Sequence, residues 1–209
     1  MKKDQPFSDA AAYDRWYDDH KNAYQSELLA IKKFVLKGKK GLEVGVGTGR
    51  FASELDIQTG VEPAPHMAAM ATARGIHVIE GVAEHLPFDE ASFDFVLMVT
   101  VDCFLNDIEK AYKEALRVLK PGGKIIIGLL DRNGEIARKY QTIKANHKVY
   151  RNARFHTPEE IIKTLKQAGF IHFDFCQTLM TAAPDAVEEP LPGYGKGSFV
   201  VISAEKFSL

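Results

Sequence analysis

The sequence predicts an α/β protein built on a doubly wound, mostly parallel seven-stranded sheet. Short β-rich runs alternate with helical segments from residue 41 to residue 130, the order that βαβ units produce. The first run, Leu42-Glu43-Val44, passes directly into Gly45-Val46-Gly47-Thr48-Gly49-Arg50, where glycine holds every second position, and then into a short helix. A turn of that kind lies at the carboxyl edge of an open sheet, where such folds bind ligands. No linker, internal repeat or low-complexity tract interrupts the 209 residues, so the chain reads as one domain, 1–209.

The elements follow in order. Residues 9–36 read as helical, because Ala12, Trp16, Tyr17, Tyr24, Leu28, Ile31 and Val35 are spaced largely by three, four and seven; a break is expected near Asp18-Asp19-His20. The β-rich runs lie at 41–46, 58–62, 76–80, 93–99 and 124–130, with helices at 50–55, 64–74 and 107–119 between them. Residues 133–150 read as a polar helical insertion. Thr157-Pro158-Glu159-Glu160 carries three helix-start signals: an N-cap Thr, Pro at the first helical position and a Glu that closes a capping box. That helix is expected to stop at Ala168-Gly169. Two last β-rich runs, 170–177 and 198–205, flank a Pro/Gly-rich stretch at 184–197. The domain thus divides into an N-terminal helical lid (1–37), a ligand-binding core (41–130), and substrate-side helices with the last two strands (131–209).

Composition narrows the class. A hydrophobic fraction of 45% and a charged fraction of 26% belong to a globular protein with a substantial core. A net charge of −1 argues against a general nucleic-acid or membrane-surface binder. No apolar run approaches the roughly 20 residues that span a bilayer, so membrane insertion is not expected. Cys103 and Cys176 have no metal-type spacing and form no disulfide framework. The expectation is a reduced, cytoplasmic protein without a metal.

The glycine turn departs from the dinucleotide fingerprint, which would need a third glycine where Arg50 stands. Glu43, two residues upstream of Gly45, would repel phosphates and suits a cationic ligand instead; the alternative is an ordinary αβ turn without a ligand. Glu62, 13 residues past Gly49, falls at the tip of the second strand. A carboxylate there can accept both hydroxyls of a ribose, or it can be a solvated acid at a strand end.

The run Glu43-x-Gly45-x-Gly47-x-Gly49 resembles the first motif of class I S-adenosylmethionine-dependent methyltransferases. Gly81-Val82-Ala83-Glu84-His85-Leu86-Pro87-Phe88 is similar to the G-D-A-E-x-L-P-F segment of the branch that includes ubiquinone and menaquinone biosynthesis enzymes, with Val82 in place of the acid. Ser92–Val99 looks like that family's fourth strand, and Leu119-Lys120-Pro121-Gly122-Gly123 like its turn into the fifth. Ala12-Tyr13-Asp14-Arg15-Trp16-Tyr17 is similar to the A-x-x-Y-D-x-W-F stretch that forms a lid there. The resemblance implies a Rossmann-like methyltransferase fold with S-adenosyl-L-methionine as cofactor. It places Gly45, Gly47, Thr48 and Gly49 along the cofactor beside Glu43, Glu62 at the ribose, and Pro63 and Met67 next to it. Val82, Ala83 and Glu84 fall at the adenine, Val99 and Thr100 at the methionine portion, and Tyr13 and Tyr17 in the aromatic lid. For Glu84 an adenine contact and a solvent-facing position stand equal.

Methyl transfer is an in-line displacement in which alignment and exclusion of water do most of the work. Thr100-Val101-Asp102-Cys103-Phe104 borders the place where the methyl group would leave. There Asp102 either orients or deprotonates an acceptor, or is a loop acid or helix cap. Cys103 reads as a small buried thiol. The expected acceptor is a small molecule and not a nucleic acid. A nucleotide-cofactor oxidoreductase on a related sheet and a non-catalytic S-adenosylmethionine-binding module are the alternatives.

Overall fold

The N-terminal helical stretch divides at His20 into α1 (Ala10–Asp19) and α2 (Lys21–Lys32), as the charged run Asp18-Asp19-His20 suggests. The computed structural model describes residues 9–143 and 150–208. Asp9 caps α1 by accepting the Ala12 N–H at 3.0 Å. The core then alternates β1 (Gly41–Val44), α3 (Arg50–Glu54), β2 (Thr59–Val61), α4 (Pro65–Ala73), β3 (His77–Ile79), β4 (Phe93–Val99), α5 (Ile108–Val118) and β5 (Leu119–Leu130). After it come α6 (Glu135–Ile143), α7 (Pro158–Ala168), β6 (Phe170–Thr178), β7 (Leu191–Pro192) and β8 (Phe199–Lys206).

All eight strands form one sheet in the order β3-β2-β1-β4-β5-β8-β6-β7. The pairs from β3 to β5 are parallel, and β8 runs antiparallel between β5 and β6. The sheet therefore has eight strands where the sequence suggests seven. The extra strand is a two-residue edge, Leu191–Pro192, paired with Cys176 and Gln177 inside the Pro/Gly-rich stretch. Two residues are too few to show an alternating pattern. Strand β5 also starts earlier than expected, since Leu119 pairs with Phe93 before the chain bulges through Gly122-Gly123 and rejoins the ladder at Lys124 opposite Phe95. Of the polar insertion expected over 133–150, residues 135–143 are helical and Tyr150–Asn152 make a 3₁₀ turn; residues 144–149 lie outside the described residues.

The period-2 alternation of the strands feeds two cores. Phe95, Leu97 and Val99 of β4 face α1, α2 and α3 on one side, while Val96 and Met98 face α5 and α7 on the other. Helix α7 is set by its capping box: Thr157 accepts the Glu160 N–H, the Glu160 carboxylate accepts the Thr157 N–H at 3.0 Å, and Gly169 ends the helix at φ +109°.

Helix α1 is fastened to the glycine turn through Asp14. That carboxylate accepts from Arg50 Nε at 2.9 Å and Nη2 at 2.7 Å, from Arg74 Nη2 at 2.8 Å and from the Thr48 hydroxyl at 2.6 Å. Burial alone would raise the Asp14 carboxyl, but the bonds from Arg50, Thr48 and Arg74 outweigh it and hold it well below the usual carboxylate range.

Candidate active site

The cavity that matters opens where β1 and β4 diverge, at the carboxyl ends of the parallel strands, the point where the strand order reverses. Its floor is the glycine turn. The N–H groups of Gly45 and Val46 bond the Val61 carbonyl at 2.8 and 3.0 Å and fix the turn to β2. Gly47 sits at φ +55°, and a side chain there would enter the space between Met67 and Tyr13, with the Met67 methyl 3.7 Å from the added Cβ. The turn thus offers bare backbone to the cavity.

Glu62 stands beside it. One carboxylate oxygen accepts the Gly47 N–H and the other the Ala64 N–H, both at 2.9 Å. Glu62 is 6% exposed, and burial raises its carboxyl against the lowering effect of the Ala64 and Gly47 bonds. Pro63 and Met67 continue the wall from the start of α4, and Tyr13 closes it from α1. Opposite lie Gly81, Val82, Ala83 and Glu84, on the loop after β3. The Glu84 carboxylate accepts the N–H groups of Asn106 at 2.9 Å and Asp107 at 3.3 Å, and so ties this loop to the entry of α5.

The third wall is the end of β4: Val99, Thr100, Val101, Phe104, Leu105 and Asn106. Thr100 holds φ +52°, a strained value for a β-branched residue, and its N–H is tied to the Gly128 carbonyl at 2.7 Å. Leu105 and Asn106 were not foreseen as wall residues. No motif marks them, and they reach the cavity only because residues 102–104 coil into a 3₁₀ turn that swings the chain back over it.

Five expected site residues stand elsewhere. Glu43 is 2% exposed inside β1 and does not line the cavity. Burial pushes its carboxyl well up, against the lowering effect of the Ala52 backbone. Gly49 itself is a packing position, where a Cβ would lie 2.6 Å from Ile76. The Thr48 hydroxyl is spent on Asp14. Tyr17 is buried behind Tyr13, with their hydroxyls 3.0 Å apart and its ring edge-on to Tyr24 and Phe51. Asp102 is 4% exposed in the 3₁₀ turn, away from the cavity, and burial pushes its carboxyl up to about 7. The cavity wall beside it is made by Val101 and Phe104.

A more open groove, lined by Lys40, Thr59, His77 and Arg117, lies at the amino ends of the strands, the edge that α/β sheets do not use for ligands. Among the described residues no group of His, Cys, Asp and Glu is placed to hold a metal ion, and no helix is long and apolar enough to cross a membrane.

Known proteins share this architecture. The family model for the methyltransferase domain matches residues 42–127. A solved S-adenosylmethionine-dependent methyltransferase of Thermotoga maritima, described as a possible histamine N-methyltransferase, is 45% identical and superposes with a TM-score of 0.92 over 96% of this chain and 98% of its own. An uncharacterized protein of Methanocaldococcus jannaschii is 45% identical over 94% of this chain and 96% of its own length. The demethylmenaquinone methyltransferase of Chlorobaculum tepidum is 36% identical over 110 residues, which cover 48% of this chain and 46% of that protein.

Proposed function

The chain belongs to the class I S-adenosylmethionine-dependent methyltransferases, and from that membership we propose that it methylates a small molecule held against the cavity beneath Tyr13 and Phe104. The observation that carries the reading is the pairing of Glu62 with Gly47. It sets a fixed carboxylate, with acceptor capacity left on each oxygen, beside backbone that no side chain shields.

The residues present fit S-adenosylmethionine. Glu62 would take the ribose hydroxyls, and the backbone of Gly45 and Gly47 would run along the amino-acid portion. Met67, Val82 and Ala83 would flank the adenine, and Val99 and Thr100 would border the methionine end. When bound, the cofactor supplies a methyl group on a sulfonium, activated for attack by a nucleophile. The protein's part is alignment and exclusion of water. Tyr13 and Phe104 cover the cavity with aromatic faces, which also suit a nearby positive charge. Orientation of this kind is worth effective molarities on the order of 10⁵ M. With Asp102 buried away from the cavity, the reading needs no base from that turn. A small acceptor agrees with the aromatic cover of the cavity, with the net charge of −1 and with the small molecules in the names of the Thermotoga and Chlorobaculum relatives.

Calorimetry tests the cofactor site. S-adenosylhomocysteine is expected to bind and NAD to bind far more weakly, and Gly47→Val should abolish binding with the far-UV circular dichroism unchanged. Tighter binding of NAD, or full affinity in Gly47→Val, would overturn the site as drawn.

A further inference from the structure

Val82 lines the cavity from the loop after β3 and is 45% exposed, so its isopropyl group faces both the cavity and water. The loop that carries it is held at several points. His85 donates its N–H to the Val82 carbonyl at 3.1 Å and closes a small bridge. The Leu86 N–H bonds the Glu114 carboxylate at 2.8 Å, and Arg117 donates to the Leu86 and Phe88 carbonyls at 3.0 and 2.7 Å. Glu114 and Arg117 both belong to α5 and pair with each other at 2.7 Å. Val82 is therefore a fixed part of the wall.

The groups beside it decide what this stretch of wall can recognise. Ala83 is buried and brings only a methyl group and backbone. One oxygen of the Glu84 carboxylate accepts the N–H groups of Asn106 and Asp107, which turns that acid to the entry of α5. Leu105 adds a second aliphatic side chain to the lining. The cavity is thus polar at Glu62 and aliphatic at Val82 and Leu105. An exocyclic amine offers two N–H donors, and an isopropyl group accepts neither. Sealed from water, such an amine would lose its hydration without return; at the exposed Val82 it keeps water as its partner. A methyl group on that nitrogen would then break no bond to the side chain, and would gain apolar contact.

We propose that Val82 leaves the exocyclic amine of the adenine unread, so that this chain accepts S-adenosyl cofactors alkylated on that nitrogen. The proposal rests on the cofactor reading, in which Val82 and Ala83 flank the adenine, and it defines the specificity of that site. A carboxylate at position 82 would have the opposite effect. It would take an N–H from the amine in a charge-assisted bond and reject a nitrogen that has none to give.

Calorimetry on the full chain tests this with two ligands, S-adenosylhomocysteine and its analogue with two methyl groups on the exocyclic nitrogen. The wild type is expected to bind both within about fivefold, less than one hydrogen bond to a charged group is worth. In Val82→Asp the analogue should bind at least about tenfold more weakly than the parent, the size of that bond. Val82 is exposed and bridges His85 through its backbone, so the substitution should leave the fold intact, which a thermal melt checks. Val82→Asn, whose amide oxygen accepts without adding charge, should show a smaller preference of the same sign, and it replaces the aspartate variant if that one unfolds. A larger loss on dimethylation in the wild type would overturn the proposal and put Glu84 or Asn106 at the amine. Equal binding of the two ligands by the folded variants would overturn it as well, by moving residue 82 away from the adenine. Failure of both ligands to bind the wild type would overturn the cofactor reading itself, and the proposal with it.

Discussion

Glu62 accepts the N–H groups of Gly47 and Ala64 with different oxygens, so each oxygen keeps a lone pair for a ligand hydroxyl. In Glu62→Gln one of those oxygens becomes an NH₂ group that faces an N–H donor. The substitution therefore removes charge from the ribose contact and also disturbs the turn that presents Gly47. Binding of S-adenosylhomocysteine should weaken by roughly 2–3 kcal/mol, more than the loss of charge assistance alone. The wild type should also discriminate against a 2′-deoxy analogue; equal affinity for the two would remove Glu62 from the ribose. Glu62 was legible in the sequence because its position after the second strand fixes where its carboxylate must stand. Glu43 and Asp102 look like charged acids in the sequence, whereas packing buries both and raises their carboxyls, and the 3₁₀ turn agrees with the loop-acid alternative for Asp102. A third buried acid, Glu27, does leave a trace in the sequence. Tyr24, Leu28 and Ile31 mark the buried stripe of α2, and Glu27 lies within it, an acid where the helix period asks for an apolar side chain.

Helix α1 covers the cavity through Tyr13, as the aromatic cluster in residues 9–24 suggests, yet its middle is bound to the glycine turn by Asp14. A moving lid would order only with its ligands. The Asp14 cluster argues for a fixed cover, since stripping a carboxylate from two arginines in a largely buried site costs on the order of 3 kcal/mol. Hydrogen exchange separates the two. Amides of α1 should be protected with or without S-adenosylhomocysteine in the wild type, and should become ligand-dependent in Asp14→Asn. Ligand-dependent exchange in the wild type would restore the moving lid. At this scale most of the fold was readable, because strongly amphipathic helices and the Thr157–Glu160 capping box leave local traces. The 3₁₀ turn at 102–104 and the edge β7 were not, since each spans only two or three residues and is fixed by contacts distant in sequence.

The buried acids act together on the whole molecule. Glu27 and Asp102 hold protons up to about pH 8 and about pH 7, and burial raises Glu43 as well. The unfolded chain gives up those protons from about pH 4. The stability they contribute is therefore complete below about pH 4 and declines as pH rises through 7 and 8. Asp14 works in the opposite sense: its folded-state value is lowered, so its contribution holds at neutral pH and fails only in strong acid. Denaturant unfolding should show greatest stability in mild acid, at about pH 4–5, and Asp102→Asn should flatten the decline toward pH 7; a profile that rises from pH 5 to 8 would contradict this. The placement of β8 has a separate consequence, for the order of synthesis. This strand is made last of the eight, yet it lies between β5 and β6. Until residues 199–206 have left the ribosome, β5 and β6 each present an open edge, able to pair with another nascent chain. The parallel half can form while translation continues, whereas β6 and β7 must wait, so premature termination before Phe199 would yield an aggregation-prone fragment and not a smaller working enzyme.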